Sequence, residues 1–519
     1  MNLTGTFEQN LVSKILDPIH GVIRMTEDER KVIDEPLFQR LRNVRQNTLL
    51  YKVFPSAVHS RFEHSIGVMH LSYELLKNLS LNIERYRQKK YACAEIYSEL
   101  KELPQEHIVN LRLAALLHDV GHGPLAHLFD KFSIKTSDLK IFISKEKDLK
   151  KKERYEKILQ LCNNDERLEH EKVSCIFAIE ILHSAKLINV DIDGVIKLIE
   201  SKYDYDYPLV NGVNIHKLLT SLISSCPIDA DRMDYMLRDS YFSGVKYGIY
   251  DYSRLLMSLV PMKIGNDVFL TFKESGIDSL LEFINARSNL FSQVYFHKTN
   301  RFFTKALKQS CANISYDVIN FDFKKDFIEQ LKYFYFENSD NVFLEKCIYK
   351  NIEEKFKSEP SKYKVNKKLI DDIIGRKVWK KVFEKKVIFS NLELSMSNIG
   401  DFENKINLIL EEQTLLHKDL DIIVDVVSEN NFKDITDSSV KILKKDVDDS
   451  YSLHDFFSAN DIFQVNHRIK FIARVYLNDN QLSLDKVSYV KASFKEIDKK
   501  IQELYAACLP DLKRRLIDQ

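Results

Sequence analysis

Three segments of this 519-residue chain combine imidazole and carboxylate groups at spacings suited to chemistry. They are Arg61-Phe-Glu-His64-Ser65, His118-Asp119-Val-Gly-His122-Gly-Pro-Leu-Ala-His127-Leu-Phe-Asp130, and Asp229-Ala-Asp231-Arg232-Met-Asp-Tyr235-Met-Leu-Arg-Asp239. Histidine with aspartate and no thiolate suits a borderline or hard divalent cation and argues against a structural zinc knot. His118 and Asp119 are adjacent at an expected helix end, so both can turn toward one ion, with His64 and Asp231 arriving from two other helices. Such a set leaves positions open for water and a substrate oxygen. On a helix Asp231, Tyr235 and Asp239 share one face, while Met233, Met236, Leu237 and Ser240 turn to another. Arg61 stands one turn before His64, where a planar cation could grip a phosphate bidentately. His122 and His127 lie near the His-Asp pair, and either could protonate a leaving oxygen at neutral pH. Isolated histidines such as His20, His59 and His70 read as ordinary hydrogen-bonded residues.

These side chains need helices to hold them. Thr26-Glu-Asp-Glu29 reads as a capping box opening a helix, and Phe38 to Gln46 (FQRLRNVRQ) as a second, amphipathic one. Phe62, Ile66, Met69, Tyr73 and Leu76 recur at three and four, which predicts a helix from Arg61 to about Leu79. Another covers Val109 to about Asp119 and stops at Gly121-His-Gly-Pro124. The charged stretch 143–158 reads as a solvated helix or insertion. Helices continue through Leu237 and from Gly276 to about Ser310. Beyond these, Lys-rich helical sequence alternates with β-prone runs at Val387 to Leu394, Asp421 to Val427, Val440 to Leu443 and Ile469 to Leu477. The expected fold is mainly α, with residues 1–310 as the catalytic core and 311–519 as a smaller α+β lobe for oligomerisation or regulation.

Composition bounds the rest. Lys plus Arg number 77 against 76 Asp plus Glu, a balance of +1 that removes any whole-chain electrostatic case for nucleic acid or an acidic membrane. Only 13 Gly and 10 Pro interrupt the chain, which favours long helices over many short strands. The 7 Cys form no CxxC pair, so neither a disulfide framework nor a thiolate zinc site is expected, and a reducing cytoplasm fits. No leader and no membrane-spanning run is evident, so the expected location is the cytoplasm.

With these motifs the sequence resembles the HD-domain deoxynucleoside triphosphate triphosphohydrolases. The similarity runs from Asp17-Pro-Ile-His-Gly21 through FQRLRNVRQ, Val53-Phe-Pro55, RFEHS, HDVGHGPLAH, Glu169-His170-Glu171 and DADRMDYMLRDS to Gly244-Val-Lys-Tyr-Gly248, and covers roughly the first 300 residues. The resemblance implies a helical HD domain in which His64, His118, Asp119 and Asp231 hold one divalent metal, with Mn, Mg, Fe, Co, Ni and Zn not distinguished. It further implies catalytic roles for His122, His127, Asp130 and His170 beside Arg61, with His127 as proton donor. Arg232, Tyr235, Asp239 and Arg287 match triphosphate- and sugar-contacting positions, and Gln46 and Tyr295 match those at the deoxyribose. Family members release a deoxynucleoside and inorganic triphosphate. Asp34, Gln39 and Arg42 match a guanine-nucleotide activator site, so an activating nucleotide and a homo-oligomer, dimer or tetramer, are implied as well.

The sequence also departs from the family. Arg232 stands where some members have Lys, a fork in place of a point charge. Asn47 replaces a Leu near the sugar, Phe296 a Gln after Tyr295, and Ser13 and Leu16 other members of the activator site. The leading expectation is a dNTP triphosphohydrolase serving dNTP balance or antiviral defence. Two rivals stand beside it: an HD-type phosphodiesterase or nuclease acting on cyclic nucleotides or single strands, and a nucleotide-gated nucleic-acid-binding regulator. The regulator reading rests on residues 350–386, which carry 13 Lys or Arg against 6 Asp or Glu.

Overall fold

Helix α1 (Glu27–Asp34) opens on the expected capping box, in which Thr26 Oγ1 accepts from Glu29 N (3.1 Å) and Glu29 Oε2 accepts from Thr26 N (2.8 Å). The computed structural model describes residues 7–86, 95–163, 166–187, 190–224, 228–312, 314–319, 321–322, 324–390, 396–430, 441–447, 450–456, 468–480 and 482–517. Ahead of α1, strands β1 (Ser13–Asp17) and β2 (Gly21–Met25) form an antiparallel hairpin.

FQRLRNVRQ does not form the single helix its periodicity predicts. One α-turn over Pro36–Gln39 passes into a 3₁₀ turn over Arg40–Asn43, and Val44 is extended. Backbone groups here find tertiary partners: Val44 O accepts from Arg61 N (2.9 Å), Gln46 N donates to His59 O (3.1 Å), and Arg45 N donates to Asp340 Oδ2 (2.8 Å). A continuing helix would have used these groups internally.

Helix α2 (Arg61–Tyr86) outruns its expected end, and Phe62, Ile66, Met69, Tyr73 and Leu76 are all buried along it. It packs against α3 (Gln105–Leu117), which is apolar and buried on most sides, and against the motif helix α5 (Ala230–Ser243). Between them in sequence lies α4 (His170–Ser184). Two glycines permit the approaches that build the site. A Cβ at Gly67 would lie 1.9 Å from Asp234 Oδ1, and one at Gly121 would lie 2.2 Å from Ser174 N and 2.3 Å from His170 O. The charged stretch 143–158 falls on helices Thr136–Lys145 and Leu149–Gln160, whose Phe142, Tyr155 and Ile158 are buried, so it is packed on one face.

The chain divides into two compact units otherwise than at a single boundary near residue 310. The first holds 1–283, 315–351 and 437–459; the second holds 284–314, 352–436 and 460–519. Residues 315–351 return to the first unit because α6 (Phe327–Glu337) brings Tyr335 edge-on to Phe129 and Phe177, with ring centroids 5.1 and 5.0 Å away. The first unit also carries a sheet of β3 (Glu95–Ile96), β4 (Leu259–Ile264), β5 (Asp267–Lys273), β8 (Lys441–Lys445) and β9 (Tyr451–Asp455) in that order, with β8 parallel to β5. In the second unit β6 (Lys380–Ser390), β10 (Arg468–Leu477) and β7 (Ile422–Asn430) form an antiparallel sheet in the order 6-10-7. Phe389, Phe402 and Phe471 pack edge-on beneath it. The expected β-prone runs thus appear as strands, with 391–394 and 440 outside the described residues. Among the described residues no helix is long and apolar enough to cross a membrane. The fold is mainly helical, with a smaller sheet-containing part.

Candidate active site

The structure brings His64, His118, Asp119 and Asp231 together from α2, the end of α3 and the start of α5. His64 Nε2 lies 3.1 Å from Asp231 Oδ1 and 3.8 Å from Asp119 Oδ2. His118 Nε2 lies 3.5 Å from Asp119 Oδ1 and 4.0 Å from Asp231 Oδ1. Ligand bonds of roughly 2.0–2.2 Å set neighbouring ligand atoms about 3–3.5 Å apart, so the cluster is close to that spacing. Tautomers fit too. His64 Nδ1 is engaged by Asp234 Oδ2 (2.8 Å) and His118 Nδ1 by Ala115 O (2.8 Å). Both Nε2 atoms are buried with no hydrogen-bond partner among the described residues and lie beside two carboxylates, placed to serve as ligands once deprotonated. This donor set fits a divalent cation.

Electrostatics agree with the geometry. Burial disfavours the His64 cation, yet the adjacent carboxylates of Asp231 and Asp234 outweigh it and raise its pKa to about 10. Burial likewise resists ionisation of Asp119, but His118, Arg61 and His122 hold its carboxyl well below the usual carboxylate range. Asp231 is lowered against burial by His64 and His118. The pocket therefore concentrates negative charge where a cation would neutralise it.

Beside this cluster stand three more imidazoles. His122 stacks on His170 with centroids 3.7 Å apart, and His127 meets both edge-on at 5.1 and 4.9 Å. Burial and Arg61 push the His122 pKa well down, so its ring is neutral. His170 is raised against burial by its bond to Asp130 Oδ2 (3.3 Å) and by Glu171. His127, by contrast, has a side chain 73% exposed and lies 3.8 Å from Asp130 Oδ2. Of the three rings, His127 alone opens to solvent.

The other expected site residues are placed as follows. Arg61, expected to face a phosphate, is buried and donates through Nη1 to Asp119, while its Nε is buried without an acceptor. Arg232 donates to Asp229, the residue that caps α5. Asp231 and Tyr235 are half-buried on the predicted face of α5, and Asp239 is fully buried there. Asp239 accepts from His59 Nε2 (2.6 Å) and Asn47 Nδ2 (2.8 Å). Gln46 is half-buried, with its Oε1 enclosed and without a partner. Arg287 and Tyr295 fall in the second unit, Arg287 on the helix Ile277–Leu290 and Tyr295 in the π-helical turn Phe291–Tyr295. Gln39 Oε1 accepts from Arg42 Nε (2.8 Å), Arg42 lies over the Phe62 ring, and Asp34 pairs with Arg30.

Several working residues escape the sequence reading. Asp234, fully buried, is bonded by His64, His20 and, twice, by Arg238, so it fixes the orientation of His64. Arg40, fully buried between the Phe177 and Tyr335 rings, donates to the carbonyls of Val120 and His122 and so holds the loop after the His-Asp pair. Burial lowers its pKa to about 10. His59, which reads as an ordinary residue in the sequence, bonds Asp239 and stacks on Phe242. Only Asp234 had a local signal, the run of acids on one helix.

Residues 61–235 match the HD domain model. An uncharacterized protein of Methanocaldococcus jannaschii is 28% identical over 296 residues, 57% of this chain and 48% of its own length. Deoxynucleoside triphosphate triphosphohydrolase SAMHD1 of Danio rerio is 29% identical over 291 residues, 54% of this chain and 42% of that protein. The chain spans about half the length of the curated relatives it matches. A crystal structure of a hypothetical protein from Aquifex aeolicus shares the fold, with a TM-score of 0.55 at 23% identity over 93% of this chain and 99% of that one. Over residues 61–235 the chain is similar to the HD domain, and over more than half its length it is similar to deoxynucleoside triphosphate triphosphohydrolases.

Proposed function

We propose that this protein hydrolyses deoxynucleoside triphosphates to deoxynucleoside and inorganic triphosphate, as a homo-oligomer, using one divalent metal ion held by His64, His118, Asp119 and Asp231. The observation that carries the reading is the convergence of two buried, unpartnered imidazole nitrogens with two carboxylates, next to a histidine cluster open at His127. An ion bound there would polarise a phosphoryl oxygen and activate water. The protein's own groups do the rest. Arg61 and Arg232 carry fixed positive charge for the developing phosphate charge, and Asp234 and Ala115 O keep the ligand tautomers. His127 donates a proton to the departing 5′ oxygen, a poor leaving group without it. Asp130 and the stacked His122 and His170 hold its surroundings.

Purified protein supplied with Mn or Mg and each dNTP, alone and in mixtures, is expected to yield deoxynucleoside and triphosphate on chromatography. In labelled water the solvent oxygen enters triphosphate. Label in the nucleoside, or pyrophosphate with dNMP, contradicts this chemistry, and turnover of cyclic nucleotides or single strands alone favours the phosphodiesterase reading.

Activation by a second nucleotide is part of the proposal, supported by the family match of Asp34, Gln39 and Arg42. All three have local partners, which a guanine base would have to displace. Activity against a single dNTP is expected to be low or sigmoidal and to rise on addition of another. Asp34→Ala and Arg42→Ala should lose that stimulation while retaining metal. Hyperbolic full-rate turnover of every dNTP alone, unchanged in both variants, rejects the switch.

A further inference from the structure

The loop that presents His127 contains two consecutive left-handed residues that are not glycine, Leu125 at φ 64° and Ala126 at φ 52°. Residues with a Cβ rarely adopt this region, and such a pair persists only where surrounding bonds over-determine the backbone. Much of that determination comes from one side chain far along the chain. Asp340, only 3% exposed, accepts from Leu125 N through Oδ1 (2.6 Å) and from Arg45 N through Oδ2 (2.8 Å). These partners lie 215 and 295 residues away in sequence. Thr48 Oγ1 adds a bond to Leu125 O (3.3 Å). Asp340 is itself well anchored, since Ser339 caps its helical turn and the neighbouring Phe343 ring packs on Phe129 and Phe132.

We propose that Asp340 is a positioning residue for the reaction, one carboxylate that ties the turn presenting His127 to the segment presenting Gln46. Resting on the proposed function, this sets the distance between the proton donor and the sugar contact. Asp340 acts through these backbone bonds and is not among the four clustered donors. A carboxylate is required because both backbone partners are N–H donors and only an ionised carboxyl accepts on both oxygens; an amide would turn its own NH₂ toward one of them. Burial raises the Asp340 pKa, and the bonds from Leu125 N and Arg45 N oppose that rise by favouring the ionised form. Residue 340 lies outside the span 61–235 matched by the HD model, so the segment 315–351 contributes to the site rather than to a separate lobe.

Asp340→Asn in the full chain is the test, because the substitution preserves shape. Hydrogen exchange at the Leu125 amide should quicken and the His127 ring resonance should shift in histidine-labelled protein. kcat should fall by about 100-fold, the scale of a small misplacement of a catalytic group, with KM and bound metal held. If that variant does not fold, Asp340→Ser, which keeps one acceptor, is read in the same way. Unchanged Leu125 exchange, an unshifted His127 resonance, or a kcat loss that only follows metal loss overturns the proposal. Should the unmodified protein turn over no dNTP, the functional reading fails on its own, and exchange with the His127 resonance still decides the role of Asp340.

Discussion

Asp119→Ala is expected to lose bound metal and activity together. Asp119 is the candidate ligand with the most polar neighbours, with His118, His122 and the Arg61 guanidinium all against its carboxylate. Removing it deletes a charged donor and leaves the buried Arg61 guanidinium without that partner, at a cost of about 3–5 kcal/mol if nothing relaxes. Lower stability must therefore be separated from lost chemistry. Asp119→Asn, which keeps the shape and one acceptor for Arg61, should melt closer to the unmodified protein and still bind little metal. Elemental analysis beside circular dichroism distinguishes the two effects, and a folded variant with full metal occupancy contradicts the ligand assignment.

His127→Ala should behave in the opposite way. Because the His127 side chain is 73% exposed, its removal uncovers little and leaves the melting temperature nearly unchanged. Bound metal should also persist, since His127 is not among the four clustered donors. kcat is expected to fall by about 100- to 10,000-fold, the usual contribution of a positioned acid, and most for substrates with the poorest leaving groups. A normal rate with normal metal content would move the proton donor elsewhere, to His170 with Asp130 as the nearest alternative.

The two substitutions probe different layers of one site, and those layers were not equally readable in the sequence. The four clustered donors could be picked out because each sits in a short run whose residue types are chemically distinctive. Their helices were legible as well, from the three-and-four spacing of Phe62 to Leu76 and from the capping box at Thr26. The layer behind them was not. Arg40 reaches carbonyls 80 and 82 residues away, and Asp234 meets His20 across 214 residues, contacts with no local signature.

By itself the sequence determined the helical class, the identity of the chemistry-bearing segments and the faces on which they lie, because these follow from residue type and periodicity. Tertiary structure alone decided that FQRLRNVRQ breaks after one turn, since its backbone groups bond Arg61, His59 and Asp340. It decided that Arg61 faces Asp119, that Asp239 is spent on His59 and Asn47, and that residues 315–351 and 437–459 belong with the first compact unit. The physical reason is common to the first three. A buried polar group takes whichever partner the packing brings within about 3 Å, and that partner is chosen by how elements distant in sequence close on one another.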